Sequence, residues 1–329
     1  MKTNRRKFIK GAAGAAVAAA AGGALTSQSA HAAAFGPRSS NPRIAEWEHA
    51  KTVKMERGWS NESQGMCTDG TFWYVTTNKD VNGQKRLYKL TLDWREVASI
   101  ALTQSWVDHL GAPTYNPYRG LVYVPVQVKV GYEAGLQSAA RIWAIDPAPG
   151  NISTFSIIPL VNSSGTNWGP QEHNAPWFAY NPYDGLLYSS REGHSGKTPD
   201  HVSHFYGYNP ASGRLVKSIA LPGTFHSFQG GGFGRDGRNL YMVSDHVQLN
   251  TGRKHIYAFD MSDPVDGQTC GYWGSKINPS SDEAEGIAWC HLSWSDARDT
   301  HVTSFALVNE IDDDDAGMYN FWVPDPLAI

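Results

Sequence analysis

A phrase that returns along the chain at intervals of roughly 45 to 65 residues does most to constrain what this sequence can fold into. Its clearest copies read Tyr115-Asn-Pro-Tyr-Arg-Gly-Leu-Val-Tyr-Val-Pro-Val126 and Tyr180-Asn-Pro-Tyr-Asp-Gly-Leu-Leu-Tyr-Ser-Ser190. Degenerate copies are Cys67-Thr-Asp-Gly-Thr-Phe-Trp-Tyr-Val-Thr-Thr77 and Gly234-Arg-Asp-Gly-Arg-Asn-Leu-Tyr-Met-Val-Ser244. Each is an apolar strand, a turn of Asn-Pro or Asp-Gly chemistry, and a second strand alternating with period two. Self-similarity at such a period marks one supersecondary unit used repeatedly, and here that unit is all β.

A third strand follows each copy: Arg86-Leu-Tyr-Lys-Leu-Thr-Leu-Asp93, Arg141-Ile-Trp-Ala-Ile-Asp-Pro147, His204-Phe-Tyr-Gly-Tyr-Asn-Pro210 and His255-Ile-Tyr-Ala-Phe-Asp260. After three of these a fourth follows, as in Leu215-Val-Lys-Ser-Ile-Ala220. Four antiparallel strands repeated radially make the blade of a β-propeller. The phrasing Asn-Pro-x-x-Gly-x-Leu-Tyr resembles that of secreted bacterial propellers, a resemblance of architecture that brings no activity with it. Innermost strands are expected near Gln64, His109, Asn174, Gln229 and Glu285, which gives five blades. Six is the rival count, because the second unit is stretched by residues 127–140, read as a long hairpin tip. The last unit lacks room for a fourth strand, and residues 50–56 can supply it, covering the edges an open sheet would expose. Residues 49–329 are therefore expected to form one propeller domain, with residues 33–48 as its lead-in.

The first 32 residues resemble a twin-arginine export signal, with Arg5 and Arg6 in a basic head, an apolar run over residues 11–25, and Ala30-His31-Ala32 as a cleavage site. That run is too short to span a bilayer comfortably, so the expectation is a secreted protein with no membrane span. Losing Lys2, Arg5, Arg6, Lys7 and Lys10 leaves 23 basic groups against 31 acidic ones, a balance near −8. Such a charge disfavours nucleic acid, whose phosphates are held by Lys and Arg. It suits cations, neutral sugars or a basic protein patch. Three cysteines stand outside the signal: Cys67, expected to be buried as a small apolar residue, and Cys270 and Cys290, which could form a disulfide.

Ligands of propellers gather at the channel mouth, where loops lead into the innermost strands. Here Trp59, Trp106, Trp168 and Phe225 each stand a few residues ahead of a polar group: Gln64, His109, His173 with Asn174, and Gln229. Aromatic faces pack on the C–H patches of sugars while amides and imidazoles bond hydroxyls. The same rings could instead wedge between blades, and 12 tryptophans suffice for both roles. The polar set, completed by Glu285, could ring the channel and hold a metal or water. Glu283-Ala-Glu-Gly-Ile-Ala288 is similar to the Glu-Gly-Ile strand of calcium-dependent propeller hydrolases and lactonases. That resemblance implies Glu285 as a ligand of Ca²⁺ or another divalent metal, with His109 and His173 as its candidate partners. Their mixture of imidazole and oxygen donors matches neither a calcium nor a zinc set.

Other clusters read as solvated tips: His194, His201 and His204 in one loop, and the acids of residues 309–317, which could also dock a basic partner. There is no Gly-x-Ser-x-Gly elbow, zinc-protease helix, phosphate loop or dinucleotide fingerprint. A glycosidase needs two carboxylates at a fixed separation, for which Asp108, Glu172 and Glu285 are candidates; Asp69 reads as a turn residue. Two functions survive. One is a secreted binding propeller, either lectin-like or an adaptor for another secreted protein such as a toxin assembly. The other is a metal-dependent hydrolase or lyase acting at the channel mouth through Glu285, His109 and His173.

Overall fold

In this computed structural model the described residues are 45–46, 48–53, 59, 61–80, 82–132, 135–148, 151–191, 202–234, 237–248, 252–261, 268–272, 283–289, 301–308 and 315–322. Residues 1–32, most of the lead-in, the tip bearing His194 and His201, Cys290 and the acids before residue 315 lie outside them. Residues 41–329 make up one compact unit.

Two short strands, β1 (Ala45–Glu46) and β2 (Glu48–Val53), precede the repeats. The first sheet follows as β3 (Ser63–Thr68), β4 (Phe72–Thr77), β5 (Arg86–Thr91) and β6 (Glu96–Ala101). The second holds β7 (Val107–Leu110), β8 (Thr114–Asn116), β9 (Leu121–Val128), β10 (Arg141–Asp146) and β11 (Ser153–Pro159). The third is β12 (Ala179–Tyr180), β13 (Leu187–Ser189), β14 (Val202–Tyr208) and β15 (Leu215–Phe225). The fourth is β16 (Phe228–Phe233), β17 (Asn239–Gln248), β18 (Arg253–Asp260) and β19 (Gln268–Tyr272), and the fifth is β20 (Glu283–Trp289), β21 (His301–Val308) and β22 (Asp315–Trp322).

Within the repeats the strands pair antiparallel in sequence order, except that β7 and β8 both pair with β9 and not with each other. The innermost strands touch in the order β3, β8, β12, β16, β20 and back to β3, so the sheets close a ring. This is a β-propeller. β2 pairs with β22 as the outer strand of the fifth sheet, placing the closing segment at Glu48–Val53, slightly ahead of residues 50–56. The lead-in also contributes: β1 adds a parallel strand to β19. The stretch at 127–140 is partly strand, since β9 runs to Val128, and partly a 3-10 turn at Gly135–Ser138 followed by buried Ala139 and Ala140. Among the described residues no helix is long and apolar enough to cross a membrane.

The repeated phrase has a local cause. Asn116, Asn181 and Asn209 each turn their side-chain oxygen back to accept backbone N–H groups two or three residues on. Four residues after each asparagine, Gly120, Gly185 and Gly213 donate to its carbonyl from positive φ, where glycine meets no Cβ penalty. Asp69 works similarly, accepting from Thr71, Phe72 and the Tyr74 hydroxyl, as the turn role expected of it requires.

The core lies between sheets. Trp73, Trp143 and Trp177 are fully buried, and each such side chain contributes on the order of 2–3 kcal/mol of apolar burial. Cys67 is a buried free thiol between the first two sheets.

Candidate functional site

Antiparallel order puts the start of every inner strand, the end of every second strand and the start of every third strand at one end of the ring. The residues proposed from the sequence therefore share that end, the mouth. A register shift marks several inner strands there: between Ser63 and Gly65, Val107 and His109, Phe228 and Gly230, and Glu283 and Gly286. A β-bulge leaves its extra residue unpaired and re-aims it. In three sheets that residue is followed by glycine: Gln64-Gly65, Gln229-Gly230 and Glu285-Gly286.

These glycines are where the inner strands meet. A Cβ on Gly230 would lie 2.6 Å from Gly286 Cα, and one on Gly286 would lie 2.8 Å from Gly65 Cα. A Cβ on Gly65 would collide with Ala112, which in turn bridges to Trp177. The contact level is thus Gly65, Ala112, Trp177, Gly230 and Gly286. Gln64, Gln229 and Glu285 stand one residue before it, as do Gly111 and Pro176 in the other two sheets. His109, His173 and Asn174 lie two or three residues earlier in chain order than Gly111 and Pro176.

Gln64 is buried and donates to the Glu62 carbonyl at 3.2 Å, while Gln229 is half-buried. Glu285 is buried, and burial pushes its carboxyl well above the ordinary range. Glu283 and Asp245 push in the same direction, Glu283 also through a side-chain hydrogen bond, and Lys254 opposes them. Asp245 anchors this corner: its Oδ1 accepts from the buried Lys254 ammonium and, at 2.7 Å, from the Ala284 N–H of the next sheet. Asn78 plays the matching part between the first two sheets, where its Oδ1 accepts from Leu110 N at 2.7 Å. Both residues follow a Thr or Ser of the second strand, Thr77-Asn78 at the end of β4 and Ser244-Asp245 at the register shift within β17. Each donates its backbone N–H to a residue of positive φ, Glu62 or Ser227. Asn78, Asp245 and Lys254 belong to no motif of their own, although the first two occupy matching positions in the first and fourth repeats.

His109 is half-buried, but its Nδ1 is buried and finds no hydrogen-bond partner among the described residues. Burial pushes the imidazole down to about 4, with Asp108 pulling the other way. His173 is half-buried, and its carbonyl accepts from Val128 N. Glu172 holds Arg191 at 3.1 Å. Near the fourth sheet's mouth, His226 and His246 rings lie 4.7 Å apart. Among the described residues no three His, Cys, Asp or Glu side chains are grouped to hold a metal ion, so Glu285, His109 and His173 do not form one ligand set.

The four aromatics divide. Trp59 is buried in a stack with Trp94, which in turn stacks on Trp73, at centroid distances of 5.6 and 5.2 Å. Phe225 packs among Phe228, Tyr257 and Phe259. Trp106 and Trp168 are half-buried, as Phe225 is; Trp106 packs on the core between the first two sheets, with the Arg141 guanidinium 4.6 Å from its ring.

No protein-family model and no curated protein matches the chain. Among solved structures it is similar to a GH43_1 enzyme from Xanthomonas citri complexed with xylotriose, at 9% identity and a TM-score of 0.52, over 83% of this chain and 90% of that one. It is also similar to Bacteroides ovatus xyloglucan PUL GH43B, at 15% identity and a TM-score of 0.48, over 83% and 54% of the two chains. Kuenenia stuttgartiensis hydrazine synthase matches at 12% identity and a TM-score of 0.42, over 79% of this chain and 59% of that one. At these identities the likeness is one of fold.

Proposed function

We propose that this is a secreted binding propeller, exported by the twin-arginine route its first residues resemble, that recognises a glycan at the mouth of the ring. The observation that carries this reading is the division of the aromatics. Trp59 is enclosed in the core and Phe225 packs on its aromatic cluster; Trp106, which also packs on the core between the first two sheets, and Trp168 keep exposed surface in the mouth loops of adjacent sheets. Around them stand His173, Asn174 and Gln229, half-buried side chains able to bond hydroxyls. The carbohydrate in the Xanthomonas citri complex accords with a sugar ligand for such a fold.

A second reading, a hydrolase or lyase acting at the same mouth, is favoured by Glu285, whose carboxyl burial pushes toward the protonated form a general acid needs. One experiment separates the two. Binding of a glycan library is measured for the mature protein and for Trp106→Ala, Trp168→Ala and Glu285→Gln. Loss of an exposed aromatic contact should weaken the recognised glycan about tenfold in each tryptophan variant. Glu285→Gln should bind as the parent does. Release of reducing ends that disappears in Glu285→Gln would replace the binding reading with the hydrolase. Unchanged affinity in both tryptophan variants would remove the mouth as the glycan site.

A further inference from the structure

The far end of the ring carries a feature the mouth does not explain. Tyr118 and Tyr183 are 73% and 68% exposed, the two most exposed tyrosines among the described residues. They occupy the same position of the Asn-Pro-Tyr-x-Gly turn in the second and third sheets. Each turn is fixed by its asparagine, Asn116 Oδ1 accepting from Tyr118 N at 3.0 Å and Asn181 Oδ1 from Tyr183 N at 2.9 Å. Each ring leans on the next sheet. Tyr118 meets Tyr180 edge to face, with centroids 6.5 Å apart at 62°. Tyr183 lies against Gly237 so closely that a Cβ there would collide with it. Two large rings are thus held in set orientations while burying little area, which core packing does not account for. Phe155, 58% exposed, extends the surface, with the Arg119 guanidinium 5.8 Å from its ring.

We propose that Tyr118 and Tyr183 form a second carbohydrate platform, at the end of the ring opposite the mouth, that takes an uncharged polysaccharide chain. The charged groups beside the two rings are engaged, Arg238 with Asp260 at 2.9 Å next to Gly237. The Asp184 carboxylate is used by Leu186 N and the Tyr188 hydroxyl, at 3.0 and 2.6 Å, and Arg119 lies over Phe155. Phosphate backbones and anionic bilayers require clusters of Lys and Arg, so an uncharged ligand fits this face best. Tyrosine adds a hydroxyl to each apolar ring face, the pairing that suits a sugar's hydroxyls and C–H patches. Identical turns in adjacent repeats present equivalent rings, which matches a ligand with its own chemical repeat.

The test is depletion binding to insoluble cellulose, xylan and chitin. It compares the mature protein, Tyr118→Ala/Tyr183→Ala, Tyr118→Phe/Tyr183→Phe and Trp106→Ala/Trp168→Ala. The alanine pair should lose at least tenfold in affinity for a polysaccharide the parent binds. The phenylalanine pair, which keeps both rings, should retain most of that affinity. The tryptophan pair should still adhere, and a failure of the mouth site would show only in its binding of soluble oligosaccharides. Equal adhesion of alanine pair and parent, or no adhesion of the parent to any of the three, overturns the platform. So does a parent dimer that the alanine pair dissociates, which would assign the rings to self-association.

Discussion

Glu285 and His109 act on stability in opposite senses as pH changes. Burial holds Glu285 protonated in the folded ring well above its ordinary value of 4.5, with Glu283 and Asp245 reinforcing it. Above that value the unfolded chain releases a proton that the native state keeps, so this carboxyl removes stability as pH rises. His109 is pushed from 6.5 down to about 4. Between those values the unfolded chain binds a proton the native state refuses, so stability falls as pH drops through that window, by up to about 3 kcal/mol. Between about 4.5 and 6.5 the two effects oppose, so urea midpoints measured from pH 4 to 8 should stay nearly level there and fall above it. Glu285→Gln, which keeps hydrogen-bonding capacity without a charge to desolvate, should remove the alkaline fall and uncover a rise through the His109 window. His109→Gln should remove the opposition, so that the midpoint falls from about pH 4.5 upward. A parent profile unaffected by either substitution would show that neither group is held in the state its surroundings dictate.

The inner strands show what was legible at the level of elements and what was not. Gln64-Gly65, Gln229-Gly230 and Glu285-Gly286 were visible in the sequence as the inner-strand starts of three repeats, and the ring brings them to one level. In the other two sheets that level falls on Gly111 and Pro176, while the sequence pointed to His109 and Asn174. The cause is bulging. β7 and β8 pair with β9 in registers that differ by one residue, with Gly111 N donating to Pro125 O between them, and such shifts leave no trace in period-two alternation. The aromatics were ambiguous for a related reason: nothing local separates Trp59, buried under Trp94, from Trp106, which stays half-buried. The glycines themselves are testable. Gly230→Ala and Gly286→Ala would each press a methyl against backbone at under 3 Å, where no side chain can rotate aside. Each should cost about 3 kcal/mol or more, read as a drop in thermal midpoint. Gly223→Ala, whose nearest neighbour would be the Phe225 ring at 3.6 Å, should stay within about 0.5 kcal/mol of the parent.

Over the whole molecule, self-similarity disclosed the propeller because each repeat carries its own turn chemistry. Closure was legible only as a deficit, a last unit one strand short with a spare segment near residue 50. The parallel pairing of β1 with β19 had no sequence signal, since two residues are too few for periodicity to register. The two N-terminal strands should therefore differ in consequence. β1 adds two residues to an outer edge, whereas the six residues of β2 cover the outer edge of β22 from Ala316 to Asn320 and join the lead-in to the last sheet. Without β2 that edge exposes a row of unpaired N–H and C=O groups, a template for pairing with another chain. A chain beginning at residue 48 should remain monomeric by light scattering and unfold in one transition near the parent's midpoint. A chain beginning at residue 54 should elute as oligomers or aggregate and lose the single transition, because its last sheet can complete itself only by borrowing a strand. Monomeric, cooperative behaviour of the shorter chain would show that the ring is held by contacts among the inner strands alone. The outer strand of the last sheet would then be a cover and not a latch.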